Sequence, residues 1–163
     1  MPGWNASELR IENWGWEMAR TLALDVGDRR IGIAVSDATK LIARPLCVID
    51  RKREDVPARI AALVAEHEAD EVVVGLPLHA DGNVSEQARQ VQAFAESLRE
   101  RLAVPLRFVD ERYTTQDAQQ IIAESRRKPP RVGRRSRVTD DAIAAAVILQ
   151  RYLDEQRGEP ETW

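Results

Sequence analysis

Thr-Leu-Ala-Leu-Asp-Val-Gly (21 to 27) and Arg-Ile-Gly-Ile-Ala-Val-Ser-Asp (30 to 37) are two short β-rich runs separated by little more than Gly27, Asp28 and Arg29. So brief a connection reads as a hairpin, because parallel strands need a crossover of a dozen residues or more. A third run, Ile42 to Ile49, follows closely. Beyond it the pattern changes to alternation. Asp55 opens a helix with Pro57 in its first turn and Ile60, Leu63 and Val64 on one face. Glu71 to Leu76 is a nearly continuous apolar strand, as expected when both faces are covered. Residues 84 to 102 hold Val84, Ala88, Val91, Phe94, Ala95, Leu98 and Leu102 at helical spacing, and Leu106 to Val109 is a further strand. A helix starts near Thr114 and Asp117 and cannot continue through Pro129-Pro130; a last one runs from Thr139 through Ala142 to Leu153. Three turn-linked strands followed by alternating strands and helices predict an α/β domain: a mixed five-stranded sheet with helices on both faces.

A chain of 163 residues fits one such domain and can build a core without disulfides or structural metal. The single cysteine, Cys47, excludes an internal disulfide framework and is expected as a small core residue. With only His67 and His79 beside it, the usual four-ligand Cys/His zinc site is excluded as well. No apolar run is long enough to span a membrane and no secretory signal is visible, so the cytoplasm is the expected location. Residues 1 to 19, with Trp4, Trp14 and Trp16 but no sustained period, read as a flexible N-terminal extension, residues 20 to 155 as the domain, and 156 to 163 as a tail.

The formal net charge of -3 argues at first sight against a nucleic-acid partner. It conceals a sorted distribution. Arg126, Arg127, Lys128, Arg131, Arg134, Arg135 and Arg137 fall in one stretch free of acids, leaving 17 basic against 27 acidic residues elsewhere. Such a stretch is either a solvated loop or a grip for a phosphate backbone.

In a sheet of this kind ligands lie beyond the carboxyl ends of the strands. Asp25 ends the first strand, Glu111 ends the last strand within Asp110-Glu111-Arg112, and Asp141 occupies the first turn of the final helix. Each alone has an ordinary role as turn former, surface ion-pair partner or helix-dipole acid. Together they form an oxygen donor set suited to Mg²⁺ or Mn²⁺ and to two-metal hydrolysis of a phosphodiester. Asp140 lies about 100° around the helix from Asp141 and is the candidate outer-shell or substitute ligand. Ser36-Asp37 either caps a turn or meets the site. Arg30 and Arg112 are candidate phosphate contacts, while His79 and the Gly75-Leu76-Pro77 and Asp81-Gly82 turns shape the rim.

Four blocks carry a family resemblance: Asp-Val-Gly-Asp-Arg-Arg-Ile-Gly-Ile-Ala-Val-Ser-Asp (25 to 37), Val-Gly-Leu-Pro-Leu-His-Ala-Asp-Gly (74 to 82), Asp-Glu-Arg-Tyr-Thr-Thr (110 to 115) and Asp-Ala-Ile-Ala-Ala-Ala-Val-Ile-Leu (141 to 149). In this order and spacing, over roughly residues 20 to 155, the chain closely resembles the YqgF family of RNase H-like proteins. That resemblance implies an RNase H-like fold and a nuclease that matures the 5' end of pre-16S rRNA or resolves Holliday junctions. It implies Asp25, Glu111 and Asp141 as catalytic Mg²⁺ or Mn²⁺ ligands, and precursor rRNA, with ribosome association, as the partner. Structured DNA is the alternative substrate. Two other classes stand beside it: a non-catalytic nucleic-acid or ribosome-associated binding protein, and a phosphate-binding ATPase of the actin and sugar-kinase type, which needs two such domains where this chain has one.

Overall fold

The computed structural model describes residues 19–78, 81–110 and 140–158. The tryptophan-bearing N-terminal extension to residue 18, the helix expected near Thr114 and the chain end from residue 159 lie outside the described residues.

The first two runs form β1 (Arg20–Val26) and β2 (Arg30–Ser36), antiparallel, with Asp25 opposite Gly32. The turn closes through a bond from the Gly27 amide to the Arg30 carbonyl, 2.9 Å. A Cβ on Gly27 would stand 2.7 Å from that carbonyl oxygen, so glycine is what keeps the turn this tight. β3 (Ala43–Asp50) pairs antiparallel with β2, one residue later than the Ile42 start expected; Ile42 is 65% exposed and belongs to the preceding turn. β4 (Ala69–Leu76) lies parallel to β1, and β5 (Leu106–Asp110) parallel to β4. The sheet order is β3-β2-β1-β4-β5, mixed and five-stranded as the pattern requires.

Helix α1 (Val56–Glu66) is capped by Asp55, whose carboxylate accepts from the Ala58 amide at 3.3 Å. Helix α2 (Glu86–Arg99) starts later than its apolar spacing suggests. Ser85 is its cap, accepting from the Ala88 amide and donating to the Pro77 carbonyl, and Val84 bridges Leu78 outside the helix with 41% exposure. An N-cap side chain outweighed the helical period there. Helix α3 (Asp140–Gln156) closes the described chain.

Strand alternation sorts the core into two layers. Leu22, Leu24, Ile31, Ile33, Val35, Val72 and Val74 point to one face, where Ile60 and Leu63 of α1 and Ala88, Val91, Ala95 and Leu98 of α2 cover them. Residues of opposite parity, Ala23, Ala34, Val73 and Val109, meet Ala145, Ala146, Ile148, Leu149, Tyr152 and Leu153 of α3. Leu22, Leu24 and Ile33 are fully buried, and truncating any one to alanine costs about 2 to 5 kcal/mol. The α3 face is lined with alanines on both sides, which leaves room for the helix to approach the sheet closely. That closeness positions the site.

Candidate active site

Parity puts Asp25 on the α3 face, two residues beyond Ala23. Its antiparallel neighbour Gly32 sits on the same face. A Cβ built on Gly32 would lie 1.9 Å from the Asp141 carbonyl oxygen and 2.9 Å from the Ala142 nitrogen. The backbone of the first turn of α3 therefore rests directly on the backbone of β2, a contact that any side chain at position 32 would prevent. This contact brings Asp141 to Asp25.

The electrostatics show the same proximity. Burial first, and the negative charge of Asp141 second, push the Asp25 carboxyl from 3.8 up to about 6. No hydrogen bond or ion pair engages either carboxylate among the described residues. Asp140 is exposed, whereas Asp141 is half-buried and is the neighbour whose charge Asp25 feels. Two half-buried, mutually repelling carboxylates with no partner among the described residues form a hard oxygen donor pair, and their chemistry fits a divalent cation. Among the described residues no group of three metal-capable side chains gathers. The third expected ligand, Glu111, lies outside them, directly after Asp110 at the end of β5.

Of the expected phosphate contacts, Arg30 is described: it is exposed at the start of β2 and shares the parity of Gly32. Arg112, Arg126, Arg127, Lys128, Arg131, Arg134, Arg135 and Arg137, together with His79, lie outside the described residues. Ser36 and Asp37 belong to the opposite end of the sheet and serve a turn. Asp37 accepts from the Leu41 and Ile42 amides at 2.8 and 3.0 Å and from the Thr39 hydroxyl, and Ser36 accepts from the Thr21 amide. Against a burial effect of the opposite sign, those bonds draw Asp37 down to about 2. Cys47 is half-buried, packed against the core, and burial raises its thiol above the ordinary range.

Two features escaped the sequence reading. Gly32, a glycine inside an otherwise apolar strand, carried a visible signal for close backbone approach. Glu71 carried none: its buried carboxylate accepts from Thr21 Oγ1 at 2.9 Å and Tyr152 Oη at 2.8 Å, with Lys40 Nζ at 3.4 Å. Burial alone would raise this carboxyl, but the Tyr152, Thr21 and Lys40 partners prevail and hold it below its ordinary value. The network ties the far end of α3 to the base of β1 and β4. Arg151 adds a bond to the Asp110 carbonyl at 3.0 Å, and Gln150 bonds the Ala43 amide and the Leu41 carbonyl.

Comparison with known proteins agrees with this fold. Residues 19–155 match the family model described as RuvX, Holliday junction resolvase. A protein of Roseiflexus sp. (strain RS-1) named "Putative pre-16S rRNA nuclease" is 43% identical over 142 residues, covering 86% of this chain and 98% of the relative. One of the same name from Thermobifida fusca (strain YX) is 46% identical over 140 residues, covering 83% and 87%. Among solved structures, T. thermophilus RuvC in complex with a Holliday junction substrate superposes with a TM-score of 0.55 at 15% identity, covering 86% of this chain and 97% of that one. At that identity the likeness shows the fold, which is RNase H-like. No helix among the described residues is long and apolar enough to cross a membrane.

Proposed function

The chain belongs to the RuvX Holliday junction resolvase family, and from that premise we propose that it is a divalent-metal-dependent nuclease whose substrate is the 5' end of precursor 16S rRNA. The observation that carries the site is the pair Asp25 and Asp141: buried enough to repel each other, and engaged by no described partner. Glu111 joins them in the proposal as the acid that directly follows β5 in the sequence. These three would hold Mg²⁺ or Mn²⁺, in the two-metal arrangement that stabilises charge on the attacking and leaving oxygens of an in-line phosphoryl displacement. The chain's own contribution is placement. Gly32 lets α3 seat Asp141 against Asp25, Arg30 and Arg112 meet the phosphate, and the basic segment from Arg126 to Arg137 holds the backbone as it enters the site. The proposed setting is the cytoplasm, on the ribosome precursor.

A second reading, cleavage of four-way DNA junctions, is favoured by the description of the matching family model. The test sets a structured precursor RNA beside a four-way DNA junction, each with Mg²⁺, Mn²⁺ or chelator, for the parent and for Asp25→Asn. Cleavage of the RNA that requires metal and falls by orders of magnitude in Asp25→Asn is the expected result. Equal cleavage by parent and variant, or in chelator, would overturn the catalytic assignment, and preference for the junction would replace the substrate.

A further inference from the structure

Five basic residues occupy two neighbouring turns at the same end of the sheet as Asp25: Arg29 between β1 and β2 with Arg30 at the start of β2, and Arg51, Lys52 and Arg53 between β3 and α1. The turns are tied together. The Arg51 amide donates to the Arg29 carbonyl at 2.8 Å, and the Arg51 guanidinium donates to the Gly27 carbonyl at 2.8 Å while lying 5.2 Å over the Phe94 ring. Arg51 is thus a bracket that joins both turns to α2.

The nearby acids each have a local partner of their own. Asp50 Oδ1 accepts from the Lys52 amide, Glu54 Oε2 accepts from the Asp50 amide with Oε1 3.7 Å from Arg59, and Asp55 caps α1. Arg29 and Arg53 touch Asp50 only at 3.9 and 3.7 Å, with side chains 58% and 80% exposed. Contacts of that length at the surface are worth under about 1 kcal/mol. Arg30 and Lys52 have no ion-pair partner among the described residues. Asp28, Glu54 and Asp55 are exposed acids on the same rim, the last two engaged as above, beside five exposed basic side chains.

We propose that this double turn is a second nucleic-acid contact, in which Arg29, Arg30, Lys52 and Arg53 take successive phosphates of a strand whose scissile bond lies at Asp25 and Asp141. The inference rests on the nuclease reading and deepens it. β3 is two strand spacings, ~10 Å, from β1, the axial length over which one strand of a duplex presents about three phosphates at ~3.4 Å of rise each. The double turn lies toward the β3 edge of the sheet, beside the strand that carries Asp25. The ligand chemistry is the phosphodiester backbone, which RNA and DNA share.

The test measures binding of the full chain in an Asp25→Asn background, so that nothing is cut, to duplex RNA and to duplex DNA over a range of NaCl. The triple variant R29Q/K52Q/R53Q is compared with Arg101→Gln, an exposed position between α2 and β5 at the opposite end of the sheet. We expect the triple variant to bind at least ~10-fold more weakly near 0.15 M salt, and the slope of log affinity against log salt to shrink by about 2 to 3, near 0.9 for each phosphate no longer neutralised. Arg101→Gln should leave both unchanged. Weaker binding of one polymer alone assigns the surface to that polymer. An unchanged slope in a triple variant whose parent binds normally overturns the second contact and leaves the nuclease reading standing; so does an equal weakening per charge in Arg101→Gln. A parent that binds neither polymer overturns both.

Discussion

Asp25→Asn should make the metal-free protein more stable while removing its activity. In the native chain burial and Asp141 hold the Asp25 carboxyl at about 6, against 3.8 for an ordinary aspartate. Between those values the folded state binds a proton that the unfolded chain has released, so stability falls as pH rises through that window and stays low above it. The gap, at ~1.4 kcal/mol per pH unit, corresponds to about 3 kcal/mol. Partial contact of the carboxylate with water reduces the expected value to about 1 to 2 kcal/mol. Asparagine carries no charge, so at pH 7.5 in chelator its melting temperature should exceed the parent's by about 3 to 6 °C. Below pH 3.8 both side chains are neutral and the advantage should disappear. Adding Mg²⁺ at pH 7.5 should stabilise the parent and leave the variant nearly unmoved. Thermal unfolding followed by circular dichroism from pH 3.5 to 8 measures all three. A variant no more stable than the parent at pH 7.5, or an advantage independent of pH, would refute the claim that Asp25 is held in a repulsive, partnerless position.

Other substitutions read the scaffold. Gly32→Ala should cost about 1 to 3 kcal/mol in urea denaturation, because the new methyl group displaces the first turn of α3; cleavage should fall further than the smaller folded fraction explains, and full activity would show that Asp141 is placed some other way. Tyr152→Phe removes one donor from the buried Glu71 carboxylate and should destabilise by about 1 to 3 kcal/mol. Repeating it in a Thr21→Val background tests the network, since independent bonds would give strictly additive effects.

The hairpin, the mixed sheet and the covering of both its faces were legible because local signals agree: β-branched runs broken by glycine, then apolar positions at helical spacing. Asp25 and Asp141 were legible for a different reason, their places at a strand end and in a first helical turn. What local pattern cannot carry is the pairing of distant backbones. Val84 matched the helical period but lies outside α2, since the Ser85 hydroxyl decides where the helix begins. Glu71 reads as one polar residue in an apolar strand, and its partners Thr21 and Tyr152 come from β1 and α3. Ser36-Asp37, adjacent to a block rich in site residues, serves the far end of the sheet, because β2 runs the opposite way to β1. Strand direction alone separates those two ends.

The seating of α3 on Gly32 also bears on when the enzyme becomes dangerous. Asp25 and Asp141 are separated by 115 residues, and α3 follows all five strands in the chain. During synthesis the sheet can assemble with its first acid in place while its partner has yet to leave the ribosome. On the proposed assignment a chain in which only the sheet has assembled is latent: it can carry the arginines at the β1 to β2 turn into contact with RNA before its pair of acids exists. The pair is completed by the docking of one helix.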